Sequence, residues 1–165
     1  MKITIRNITK DSGVDFNNDY NIELPKPKED LNKFLGKDEW IIIDSPVDTD
    51  DIIQLNDMLN TIDEKTLIIL SKTFYLSEIA EKYENAIILD YDREISKWQS
   101  SESISSSDWW NGYLLHYLGY VKFPFEYTSD MEDYVNFEKL WIEANINGWR
   151  EVAYNYNNYL VYMGI

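Results

Sequence analysis

The chain has no cysteine, which excludes a disulfide framework, a thiolate metal site and a thiol nucleophile, and accords with a reducing compartment. It has a single histidine, His116, between Leu115 and Tyr117, with no serine or cysteine partner recognisable from spacing. That imidazole reads as a packed or hydrogen-bonded structural group rather than a general base. The glycines are isolated at Gly13, Gly36, Gly112, Gly119, Gly148 and Gly164, none followed by Lys-Ser or Lys-Thr, so no phosphate-cradling loop is present and nucleotide binding is not indicated. No apolar run approaches the roughly 20 residues that cross a bilayer, and Met1-Lys2-Ile3-Thr4 leads into a strand-like alternation instead of a signal-peptide core. The expectation is a cytoplasmic protein without membrane attachment.

Cations are also scarce. Fifteen Lys and Arg stand against thirty Asp and Glu, a formal net charge of -15 that repels nucleic acid and anionic membranes and costs self-repulsion in the compact state. The acids come in blocks: Asp38 to Glu64 holds nine carboxylates and no Lys or Arg, and Phe123 to Glu138 holds five and none. One reading is a generally solvated acidic surface; the sharper one is a surface made to be bound by something basic. The candidate partner-binding residues are Asp38, Glu39, Asp44, Asp48, Asp50, Asp51, Asp57, Asp63 and Glu64 in the first block, Asp90, Asp92 and Glu94 between the blocks, and Glu126, Asp130, Glu132 and Asp133 in the second. Asp44, Asp48, Asp50 and Asp51 have the oxygens a hard cation prefers, but Pro46 and Val47 interrupt them and the glycine and glutamate of an EF-hand loop are missing. Neither a metal nor a cofactor is expected.

What is plentiful is apolar material, 44% hydrophobic and 15% aromatic, enough to offset the entropy of ordering the chain. Lys2 to Ile8 alternates as a half-buried strand and can pair with Tyr20 to Leu24 across the polar Asp11 to Asp19 loop. Pro25 and Pro27 precede a short helix, Glu29 to Leu35, that stops at Gly36, and Trp40-Ile41-Ile42-Ile43 reads as a buried strand. From Asp50 the period becomes helical, with Ile52, Ile53, Leu55, Leu59 and Ile62 on one stripe and Asp50, Asp51, Gln54 and Asp57 opposite. Asp63 caps a second helix, Ser77-Glu78 opens a third, and Ala86 to Leu89 is a short buried strand. Asp108 caps an aromatic helix bearing Trp109, Trp110, Tyr113 and Tyr117, a surface rich enough to suggest a dimer interface. Phe137 to Asn145 is a further helix, and Trp149 to Tyr154 with Tyr159 to Tyr162 closes the chain as a hairpin across Asn155 to Asn158. The fold class is α+β: two or three small subdomains with short mixed or antiparallel sheets and helices. The expected division is 1–48, an N-terminal α+β part; 49–99, a central helical part with a short strand; 100–107, a serine-rich connection; and 108–165, a C-terminal α+β part that dimerises.

The order of these pieces resembles the ArdA family of antirestriction proteins, small acidic DNA mimics that inhibit type I restriction-modification enzymes. The resemblance is carried by an opening strand with Asn7, by Glu23-Leu24-Pro25, by Asp38-Glu39-Trp40-Ile41-Ile42 with Asp44 and Pro46, and by Leu55-Asn56 with Leu59. At the close it is carried by Tyr134, Phe137-Glu138-Lys139-Leu140 and Asn147-Gly148-Trp149. Asn136 stands where the family tends to have aspartate, Trp141-Ile142-Glu143 replaces its common Gly-Arg-Asp, and the Tyr-Asn-Glu-Gly segment after Asn7 is absent. The resemblance implies an elongated, dimeric, non-enzymatic protein whose partner is the basic DNA-binding surface of a restriction-modification enzyme or of another defence enzyme, including a CRISPR effector. It implies no direct binding of nucleic acid. Independently, a net charge of -15 matches the phosphates of about seven or eight base pairs, and a two-fold dimer doubles that track. Two other classes fit the composition: an acidic immunity protein or antitoxin blocking a basic nuclease, and a small enzyme with an unrecognised carboxylate pair.

Overall fold

The computed structural model describes residues 1–9, 18–97 and 107–164, which form two compact units, Met1–Glu81 and Lys82–Ile165. The fold is mixed α+β, with one three-stranded antiparallel sheet in each unit among the described residues.

In the first unit, β1 (Lys2–Asn7) lies between β2 (Asp19–Glu23) and β3 (Trp40–Asp44), antiparallel to both. The period-two alternation of β1 sends Ile3 and Ile5 to the core, where they meet Ile22. Lys2, Thr4 and Arg6 take the other side, where Thr4 donates to Asn21 at 2.8 Å and Arg6 grips Asp19 at 2.6 and 3.0 Å. Helix α1 (Lys28–Leu35) buries Leu31 and ends at Gly36, whose φ of 61° lies in the left-handed region open to glycine. Helix α2 (Ile52–Leu59) buries Ile52, Leu55 and Leu59 of the expected stripe, leaving Ile53 half-buried and Ile62 buried beyond the helix end; α3 (Glu64–Ser71) buries Leu67 to Leu70, and α4 (Leu76–Lys82) buries Leu76 and Ile79. Tyr20, Phe34 and Trp40 form an aromatic cluster with centroids 5.3 to 6.0 Å apart, seating α1 against the sheet.

In the second unit the central strand is β6 (Asn157–Tyr162), flanked by β4 (Ile87–Asp90) and β5 (Arg150–Tyr154). Its core gathers Tyr91 and Ile95 of α5 (Tyr91–Ser96), Leu114 and Leu115 of α6 (Asp108–Tyr117), Trp141 and Ala144 of α7 (Phe137–Ile146), and Trp149 and Leu160. Gly112 makes the α6–α7 approach possible, because a Cβ there would lie 1.8 Å from the carbonyl oxygen of Phe137.

Several local expectations are corrected. The run Trp40–Ile43 is not a buried strand: among the described residues β3 is an edge strand of a sheet in which β1 alone has a neighbour on both sides, and Ile41 and Ile43 are 40% and 43% exposed. Helix α2 starts after Asp50 and Asp51, so those two do not share a carboxylate face with Asp57; Asp51 is instead the N-cap. The cap of α6 is Ser107, one residue before Asp108, and α4 begins at Leu76 rather than Ser77. The closing hairpin is tighter than read: Tyr154 pairs with Asn157, leaving Asn155 and Tyr156 at φ 49° and 65° as a two-residue turn. Packing groups 49–81 with the N-terminal strands and β4 and α5 with the C-terminal part, so the units meet the chain at 81/82. The serine-rich connection, apart from Ser107, lies outside the described residues, as do residues 10–17 of the first hairpin loop.

Candidate functional site

The acidic positions singled out in the sequence divide by what their carboxylates already do. Asp51 and Asp63 cap α2 and α3, accepting from Gln54 N–H at 2.8 Å and Thr66 N–H at 3.0 Å. The hydrogen bond to the Thr66 side chain, ahead of the backbone donors, holds the Asp63 carboxyl below the usual carboxylate range against a smaller desolvation effect. Asp38 accepts from the buried Asn7 side chain at 2.7 Å. Asp57 lies 3.4 Å from Lys28, and Glu64 lies 2.7 Å from the amino group of Met1. These five carboxylates position the first unit's elements as well as contributing charge.

Glu39, Asp44, Asp48 and Asp50 have no such duty: their carboxylates make no hydrogen bond or ion pair among the described residues, and all four are exposed. They bracket β3, Glu39 preceding it, Asp44 ending it, and Asp48 and Asp50 in the loop that leads to α2. Two open clefts flank this strand. One, of about 510 Å³, is lined by Ile42 to Thr49 with Ser71 and Lys72; the other, of about 630 Å³, includes Asp38, Trp40, Asp50, Asp51 and Ile52. Lys72 is the only cation on either lining among the described residues. The result is an acidic ridge around an apolar edge, suited to cationic side chains.

In the second unit the acids are more dispersed. Asp90 caps α5 through Arg93 N–H at 3.1 Å, Asp92 accepts from the Asn158 backbone N–H at 2.8 Å, and Glu94 pairs with Lys97 at 2.6 Å. Glu126 and Asp130 are exposed, and the Thr128 side chain lowers the Asp130 carboxyl. Glu132 faces Tyr113 and Tyr127, whose hydroxyls are raised first by burial and then by its charge. The side chain of Asp133 lies outside the described residues.

The dimer candidates are engaged largely within their own unit. Trp109 stacks on Tyr113 at 5.3 Å, both meet Phe137 edge-on at 5.1 Å, and Trp110 packs against the core. Only Tyr117, 62% exposed, offers most of its ring outward. His116 is packed by Phe123, Tyr127 and Phe137, with Nδ1 3.3 Å from the Val121 carbonyl oxygen. Among the described residues no group of three or more His, Asp or Glu is placed to hold a metal ion, and no helix is long and apolar enough to cross a membrane.

No protein-family model and no curated protein matches the chain. Sequence reasoning missed the exposure of Ile41 and Ile43 beside these acids; the signal was Asp44-Ser45-Pro46, which ends the strand early at a sheet edge.

Proposed function

We propose that this chain is an acidic DNA mimic that binds the basic DNA-binding surface of a DNA-processing defence enzyme and inhibits it without performing catalysis. The carrying observation is the net charge of -15 together with the exposed, unengaged carboxylates Glu39, Asp44, Asp48 and Asp50 around β3. A groove that gains free energy by releasing counterions from phosphates gains similarly from spaced carboxylates, and the mimic presents no scissile bond. The resemblance to ArdA proteins makes a type I restriction-modification enzyme the first target and a CRISPR effector the second. In this reading the chain acts in the cytoplasm as a homodimer, which doubles the length of the acidic track.

The test is inhibition of purified type I restriction-modification enzyme across a salt series with non-cleavable DNA as competitor. Inhibition that weakens as the Debye length falls from about 10 Å to about 3 Å, and that DNA relieves, supports mimicry. Inhibition indifferent to both overturns it. The crowding of unengaged carboxylates at one strand of the first unit favours a second reading, an immunity protein that blocks a basic nuclease at a single patch. That reading expects protection of one nuclease and no effect on restriction.

A further inference from the structure

The outer edge of β3 combines backbone groups turned away from β1 with exposed isoleucines and acidic ends. Ile8 N–H donates to the Glu39 carbonyl at 2.9 Å, and the register then sets Trp40 opposite Asn7, Ile41 opposite Arg6 and Ile42 opposite Ile5. Antiparallel pairs alternate between hydrogen-bonded and non-hydrogen-bonded, so Glu39 and Ile41 direct their backbone groups at β1 while Trp40 and Ile42 turn theirs to the outer edge. No strand among the described residues pairs with that edge. Beside it stand Ile41 and Ile43, 40% and 43% exposed, and at its ends the unengaged carboxylates of Glu39 and Asp44.

We infer that the β3 edge is a docking site for an extended segment of a basic partner protein, which adds as a fourth strand. Its apolar middle covers Ile41 and Ile43, and a Lys or Arg at each end meets Glu39 and Asp44. The inference rests on the reading that the chain meets a basic partner and specifies how part of that partner is held. Charge complementarity selects the occupant. Glu39 stands opposite Ile8 and Asp44 opposite Thr4, with Ile43 as the extra residue of a bulge, so the two acids are four strand steps apart on one face, about 14 Å at 3.4 Å per residue, and the matching segment has two cations separated by three residues. A second copy fits poorly, because the segment from Asp38 to Glu64 that contains β3 has nine carboxylates and no Lys or Arg to meet Glu39 and Asp44. Strand addition of this kind takes its affinity from main-chain hydrogen bonds and its selectivity from the flanking side chains.

The experiment uses the full chain and the blocked peptide Lys-Thr-Val-Thr-Lys, whose two lysines and valine share one face as Glu39, Ile41 and Asp44 do, with Glu-Thr-Val-Thr-Glu as the control. The lysine peptide is expected to slow amide exchange at Trp40 and Ile42 and to bind at least about tenfold more tightly than its glutamate counterpart. Ile42→Pro removes one outward donor without removing a donor to β1, and is expected to abolish peptide binding with an unchanged circular dichroism spectrum. Should that variant misfold, the pair Glu39→Lys and Asp44→Lys decides, because it is expected to reverse the preference toward the glutamate peptide. Equal binding of both peptides, protection that spares β3, or a doubling of mass that the lysine peptide disperses would each overturn the inference. Peptide docking without inhibition of any DNA-processing enzyme keeps the edge site and removes the DNA mimic. Undiminished inhibition by folded Ile42→Pro does the reverse.

Discussion

The side-chain amide of Asn56 closes both of its arms on one residue, Lys26: the Lys26 N–H donates to Oδ1 at 2.7 Å, and Nδ2 donates to the Lys26 carbonyl at 3.0 Å. Asn56 is fully buried on α2, so it ties that helix to the segment entering α1 in the manner of a short strand pairing. Replacing it by leucine keeps the branched shape, adds bulk, and leaves two part-buried backbone groups without partners. The expected loss is about 2–3 kcal/mol, read as a lower urea midpoint at unchanged slope. An unaltered midpoint would mean that water satisfies Lys26 as well as the amide does.

Gly112→Ala tests the α6–α7 contact. A Cβ 1.8 Å from the Phe137 carbonyl oxygen meets backbone, which cannot swing aside as a side chain can, so the helices must separate. The expected cost is about 3 kcal/mol or more. Gly119→Ala has open space at φ 82° and is expected to cost only about 1 kcal/mol through backbone strain.

Tyr156→Gly is expected to stabilise the second unit by about 0.5–1 kcal/mol. The β5–β6 turn holds Tyr156 at φ 65° with its ring entirely in solvent, so no packing offsets the left-handed strain, and Asn-Gly is the pair such turns favour. Thermal unfolding would show the gain as a higher midpoint.

Charge reversals separate binding from folding. Lysine at Asp44, Asp48 and Asp50 is expected to weaken inhibition of the target while leaving the thermal midpoint nearly unchanged, since those carboxylates make no hydrogen bond or ion pair among the described residues. Lysine at Asp51 is expected to cost about 1 kcal/mol of stability, because it deletes the α2 cap. Full inhibition by the Asp44, Asp48 and Asp50 triple variant would show that the β3 acids are only solvated surface.

The Asp63 cap gives a pH signature. Its folded carboxyl lies below the unfolded value, chiefly through the side-chain hydrogen bond with Thr66, so its contribution is full above about pH 4 and disappears as pH falls through the folded value. Asp63→Asn keeps an acceptor for Thr66 N–H but does not titrate. The stability gap between the protein and this variant is therefore expected to narrow as pH drops from 5 to 3, a comparison in which the general relief of carboxylate repulsion cancels. A constant gap would place the cap's contribution outside the ionised state.

Local chemistry was legible in the sequence wherever a residue acts on its own neighbours along the chain. The alternation of Ile3 and Ile5, the stop at Gly36, the Asp63 cap and the apolar positions Ile52, Leu55 and Leu59 each report a backbone preference or a period, and each led to the element found. The blocks of acid were equally visible. Tertiary structure alone decided what each acid does and which strand stands at an edge. Asp51 and Asp50 are adjacent and chemically identical, yet one closes a helix terminus and the other is unengaged, because the helix begins where buried Ile52 must enter the core. Trp40–Ile43 has the apolar continuity of a central strand but one strand neighbour, because strand order is set by chain connectivity and packing across the sheet, and no local pattern encodes it. That decision leaves Ile41 and Ile43 exposed between Glu39 and Asp44.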